Sequence, residues 1–204
     1  LSDQWLSSVA YDGKFNEQWT GLMRNLYLNT RYADISTEGE QTQNRLQVGI
    51  AYRDTQTNQL SALARLEHRL DQSTKANDLK NNQALIASLH LNYKPHRRLT
   101  LGGQVAAKSV KEQFDKVNIK WLGTLVAGKV SVDLTEKIDL SVLASKSQSS
   151  ASSVTGYGAE LGFNVVKNVW LGASYTVGKY SDVDLYSANA SWSGWHLRFN
   201  MKFD

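Results

Sequence analysis

Cysteine is missing from this chain altogether. Its absence excludes disulfides, thiolate metal sites and cysteine nucleophiles, and fits a compartment where stray oxidation is a hazard. Proline occurs once, at Pro95, inside KPHRR, a turn-like stretch where a missing N–H costs nothing. No run of about 18 apolar residues occurs, so no helix spans a membrane. No positively charged, apolar leader opens the sequence, which starts at Leu1 and reads as a mature or trimmed piece. Clusters of one charge sign are lacking too. Lys and Arg total 23 against 19 Asp and Glu, a net +4 with pI near 9.2, but they are scattered singly. That pattern argues against nucleic acid as a partner.

What is present is a hydrophobic period of two. A chain of 204 residues with 41% hydrophobic content can bury a core, and residues 1–204 are expected to form one domain. From about Leu46 onward apolar residues recur at every second position, the spacing of strands. NRLQVGIAYRD aligns Leu46, Val48, Ile50 and Tyr52; after TQTN, Leu60, Ala62, Ala64, Leu66 and Leu70 repeat the pattern, leaving Arg65, Glu67 and Arg69 opposite. ALIASLHLNY and LTLGGQVAAK form the next pair. Then come Val126 to Leu134 with Ile138 to Ala144, GYGAELGFNVV with VWLGASYTV, and finally WHLRFNMKF.

The connections are expected to alternate. Short ones fall near Thr55, His96, Glu136 and Lys167; longer polar ones run through 71–82, 109–118, 147–155 and 179–194. Short turns on one side and long loops on the other characterise up-and-down membrane barrels. Residues 1–43 are the least legible part. QWLSSVAY and LMRNLYLNTRYADI read as the first two strands, the second placing Leu22, Leu26, Leu28 and Tyr32 on one face. The expected architecture is all-β, an up-and-down antiparallel transmembrane β-barrel of about 12 strands (10–12), since single-chain bacterial barrels take even numbers.

Alternation alone fits either a soluble β-protein, apolar face inward, or a membrane barrel, apolar face to lipid. Aromatics favour the second. Tyr52, Tyr93, Tyr157 and Tyr175 sit at the ends of apolar strand faces, as girdle residues do at lipid headgroups. The stretch Trp195 to Phe203 has the length of a tilted membrane strand. On it Trp195, Leu197, Phe199, Met201 and Phe203 would face lipid. The opposite face of the barrel would then turn Arg65, Glu67, Arg69, Lys108, Lys129, Asp133, Glu160, Arg198 and Lys202 into the lumen. Those charges would largely fill it by pairing, or would line a small, weakly anion-preferring channel.

The segments VGIAYRDTQTNQLSALARLEHR, LTLGGQVAAK, NVWLGASYTVGKYSDVDL and GWHLRFNMKFD resemble the C-terminal outer-membrane barrel of large, repeat-containing bacterial surface proteins, over Asn44 to Asp204. The chain departs from that pattern at Tyr175-Thr176, where a tyrosine-asparagine pair is expected, and at Gln104 and Ser145, which replace lumen arginines. The resemblance implies a bacterial outer-membrane location with a periplasmic C-terminus and a role as anchor or scaffold for an upstream domain or partner protein. It also implies a terminal strand that is read by the barrel-assembly machinery and closes the barrel against the first strand.

Catalytic signals are thin, and neither an enzyme nor a cofactor is expected. His68, His90, His96 and His196 have no nucleophile or carboxylate at a telling spacing. GYGAELG has the wrong spacing for a dinucleotide loop and is followed by alternation, not a helix. Asp182 and Asp184 are too few for calcium, which takes six to eight oxygens. Outer-membrane lipid and lipopolysaccharide are the expected surroundings, with Lys75, Lys80, Lys111 and Lys116 as loop contacts to phosphate.

Overall fold

A computed structural model describes residues 2–32, 38–75, 78–114, 117–150, 152–166, 169–182 and 190–201. Among the described residues the period of two becomes eleven strands. They are β1 (Ser2–Lys14), β2 (Trp19–Tyr32), β3 (Gly39–Arg53), β4 (Leu60–Lys75), β5 (Asp78–His96), β6 (Leu99–Phe114), β7 (Val117–Asp133), β8 (Ile138–Gln148), β9 (Ser152–Val166), β10 (Val169–Asp182) and β11 (Ala190–Met201). One antiparallel up-and-down sheet holds them in chain order. By internal contacts the chain divides into two units: Leu1–Thr55, Ala62–Leu89 and Ala106–Gly123 in the first, and Gln56–Ser61, His90–Val105 and Thr124–Asp204 in the second.

Eleven strands replace the expected even count of about twelve. QWLSSVAY and LMRNLYLNTRY become β1 and β2, and the polar GEQTQ is absorbed into β3. Among the described residues no ladder joins β11 to β1.

The expected contrast between short turns and long loops is also corrected. Much of 71–82 and 109–118 is strand: β4 runs to Lys75 before β5 starts at Asp78, and β6 runs to Phe114 before β7 starts at Val117. Polar strand ends hide from a search for hydrophobic alternation, because both faces there meet water. The strands β4 to β7 contain 16, 19, 16 and 17 residues, beyond the about 9–11 that cross a bilayer. At the other end of the strands the turns carry their own side-chain locks. Asn16 Oδ1 accepts the N–H groups of Gln18 and Trp19, both at 2.9 Å. Thr135 Oγ1 accepts those of Lys137 and Ile138 at 3.2 and 3.1 Å. Asn58 takes the left-handed region at φ 53°, which asparagine tolerates better than most residues.

Burial is inverted relative to a water-soluble protein. Among the described residues Val110 is the one buried hydrophobic side chain, while Thr30, Glu67, Ser73, Ser141 and Glu160 are buried polar ones. Leu197 is 88% exposed and Trp195 74%.

Candidate functional site: the two faces of the sheet

Cross-strand register fixes which residues share a face, because partners in an antiparallel ladder point the same way. In the second unit Leu140 pairs with Leu161, Leu161 with Ala173, and Ala173 with Leu197. Val142, Ala159, Tyr175 and Trp195 form the neighbouring row. The Tyr175 and Trp195 rings meet at 5.0 Å. Of the terminal residues expected on this apolar face, Trp195, Leu197, Phe199 and Met201 lie on it and are exposed; Phe203 lies outside the described residues.

In the first unit Trp19, Gly21 and Met23 pair with Tyr52, Ile50 and Val48 on the apolar face, and the Trp19 and Tyr52 rings lie 4.9 Å apart. Tyr93 and Tyr157 are 45% and 60% exposed. Leaving about twenty such side chains half exposed to water would forfeit on the order of 20 kcal/mol, at about 1.5–3 kcal/mol for each full burial. A domain is stable by only about 5–15 kcal/mol, so this face requires an apolar medium.

The first unit departs from expectation in β2. Leu22, Leu26 and Leu28 do share a face, but they pair with Gly49, Arg45 and Gln43, on the polar side. Asn25, Tyr27 and Asn29 take the apolar side, opposite Leu46, Asn44 and Thr42. Both phases of this strand are mixed, and only pairing with the unambiguous β3 selects between them.

On the polar face of the first unit the centre is Glu67, 1% exposed. Its Oε1 accepts from Arg45 Nε at 2.6 Å and from Arg69 Nε at 2.5 Å, and its Oε2 from Gln47 Nε2 at 3.3 Å. Arg45 and Gln47 were not singled out from the sequence; the signal was their place on the polar phase of β3. Arg65 shares the face by alternation with Glu67 and is exposed. Lys108 stands apart, its Nζ 5.0 Å from the ring of Trp121.

In the second unit one row on the polar face reads Ser141, Glu160, Ser174, His196, and the next Asp139, Gly162, Gly172, Arg198. Arg198 donates across this face to Glu160 Oε1, and Lys129 Nζ lies 3.8 Å from the same oxygen. Gly172 lies beneath this contact, and a Cβ there would meet Arg198 Nε at 3.6 Å and Glu160 Cδ at 3.8 Å, ordinary contact distances. Ser131 and Ser141 share a hydrogen bond of 2.8 Å, as do Thr176 Oγ1 and His196 Nε2 at 2.9 Å. Asp133 stands opposite Asp139 in register. Around these groups Gly156 and Gly178 stand opposite one another and Gly158 opposite Thr176, with Trp192 beside Gly178 and Leu143 beside Gly158 on the same face.

Glu67 and Arg69 thus meet in one cluster, and Lys129, Glu160 and Arg198 in another. Lys108 and Asp133 belong to neither, and Lys202 lies outside the described residues. The lysines expected in loops are strand residues: Lys75 Nζ lies 3.4 Å from the centre of the Tyr32 ring, Lys80 pairs with Asp71 at 3.5 Å, and Lys111 is exposed on β6. Lys116 and Asp184 lie outside the described residues.

No protein-family model and no curated protein sequence matches the chain. Solved structures do. The outer membrane channel DcaP of Acinetobacter baumannii superposes with a TM-score of 0.73 at 13% identity, over 96% of this chain and 62% of that one. OmpT, an outer membrane protein of Vibrio cholerae, gives 0.57 at 7% identity, over 96% and 88%. The NanC porin gives 0.51 at 11%, over 99% and 98%. This chain spans less than two thirds of the Acinetobacter channel, and the likeness is one of fold: the antiparallel strands of outer-membrane β-barrels.

Proposed function

We propose that this chain forms an outer-membrane barrel that conducts small solutes with a preference for anions. In this reading the Glu67 and Glu160 face lines a water-filled lumen, the apolar face meets lipid, and the C-terminus is periplasmic. The observation that carries it is the small-residue lining of the second unit. Gly156, Gly158, Gly162, Gly172 and Gly178, with Ser145 and Thr176, keep much of this face low, and the bulk on it comes from Leu143, Asp139 and Trp192 lying over or against the glycines. Charge sets the preference. Arg45 and Arg69 outnumber Glu67, so that cluster keeps a positive surplus, while around Glu160 the cations Lys129 and Arg198 are offset by Asp139, with Asp133 opposite it. Rings of such residues favour anions. No catalytic role or cofactor is assigned.

A second reading, an anchor for an upstream domain or partner protein, is supported by the resemblance of Asn44 to Asp204 to the barrels of repeat-containing surface proteins. In both readings Trp195 to Phe203 is the strand offered to the barrel-assembly machinery, and lipopolysaccharide is the surrounding lipid of one leaflet.

The test is single-channel recording of the refolded chain across a KCl gradient. Steady conductance with a reversal potential displaced toward chloride is expected, and Ser145→Trp should lower it. A folded, heat-modifiable barrel that passes no current would overturn the channel in favour of the anchor.

A further inference from the structure

We infer that the loop-side rim of the apolar face is a binding site for a phosphorylated glycolipid, held by Lys146 and Lys179 with Thr155 between them. The inference rests on the membrane reading above and adds a named lipid contact to it. Register places the residues: Lys146 pairs with Thr155, Thr155 with Lys179, and Lys179 with Ser191. They form one row across β8 to β11. The two lysines flank a single strand, so their Cα atoms are about 9–10 Å apart at the ordinary strand spacing. Side chains of that length can converge on one phosphate, and the hydroxyls of Thr155 and Ser191 offer further donors.

Three observations point to lipid. The row toward the strand centres is Ala144, Tyr157, Val177, so the lysines stand at the edge of the apolar band, where long cationic side chains extend to headgroups. Tyr157, in the adjoining row, marks headgroup depth beside them, and the stacked pair Tyr175 and Trp195 follows one row further in. The next row outward is Gln148, Ser153, Ser181. Neither flanking row carries a carboxylate, and among the described residues neither lysine has an ion pair. Two uncompensated positive charges at an interface fit a glycolipid bearing phosphate on its sugars. A zwitterionic phospholipid would bring its own cation to the same place.

The test titrates the folded chain in neutral detergent micelles with diphosphoryl lipid A and, separately, with its dephosphorylated form, and follows retained lipid by native mass spectrometry. Selective retention of the phosphorylated lipid is expected. K146Q/K179Q should weaken it about thirtyfold, at roughly fivefold per lysine near a charged surface. Equal retention by the wild type and the double variant would overturn the site, as would full competition by millimolar inorganic phosphate, which would mark a site for the free ion. Insertion of both proteins into vesicles of phosphatidylcholine alone separates the two claims. If they insert and retention ignores the lysines, only the site fails; if neither inserts, the membrane reading fails with it.

Discussion

Glu67→Gln removes one charge and almost no volume from the polar face of the first unit. The carboxylate it alters is 1% exposed and accepts two guanidinium N–H groups on one oxygen, at 2.6 and 2.5 Å. The two Nε atoms therefore lie within about 5 Å of each other, where like charges repel by about 1 kcal/mol in water and about 3 at an effective dielectric of 20. The carboxylate offsets this repulsion while contributing two charge-assisted hydrogen bonds, each about 1.5–3 kcal/mol. Arg45 and Arg69 are about half exposed and recover hydration when released, which trims the loss. A net cost of about 3 kcal/mol follows, at the lower end for breaking a buried ion pair. Urea unfolding of the refolded barrel in vesicles, followed by tryptophan fluorescence, measures it. A second variant, Arg45→Gln with Glu67→Gln, should recover part of the loss, since it removes one of the two repelling charges. A shift below about 0.5 kcal/mol for Glu67→Gln would show that the cluster is solvated and contributes nothing to the fold.

Other substitutions separate the faces. Leu161→Arg, on the apolar face midway along the Tyr157–Val165 stretch, should cost about 2–4 kcal/mol in a bilayer, against about 0.5 or less at a water-exposed surface; the same urea titration reads it. Trp195→Ala removes the ring that lies 5.0 Å from Tyr175, and should cost about 0.5–1.5 kcal/mol beyond the area it covers. Gly158→Ala should slow refolding or lower stability by about 1–3 kcal/mol, because its Cβ would stand 3.0 Å from Thr176 Cγ2 and 3.2 Å from the Tyr175 carbonyl. Gly172→Ala, with nothing nearer than 3.6 Å, should be close to neutral on the same assay.

Strand placement was legible wherever one face was apolar and the other polar. Leu85 to Tyr93 and Tyr157 to Val165 announce themselves in this way and became the middles of β5 and β9. Where both faces meet water the signal vanishes, so the polar ends of β4 to β7 read as loops. Phase failed in β2 for a related reason: Leu26 and Asn25 argue for opposite faces, and only the pairing of Met23 with Val48 decides. Alternation names the face a charge lies on but not its neighbour. Glu160 and Arg198 are 38 residues apart and meet only because β10 pairs with β9 on one edge and β11 on the other. Arg45 gives no sequence signal of its partner, because Glu67 is 22 residues away and arrives from β4.

The central claim is that the apolar face looks outward into lipid and the charged face into water. The chain has no cysteine, so single cysteines can be introduced one at a time from position 157 to 165 and carry a nitroxide label in reconstituted vesicles. Collision rates with oxygen, which partitions into lipid, and with a water-soluble nickel chelate then give the side each position faces. The account predicts a strict alternation, with 157, 159, 161, 163 and 165 favouring oxygen and 158, 160, 162 and 164 favouring the chelate. Chelate accessibility at Leu161 equal to that at Glu160 would contradict it.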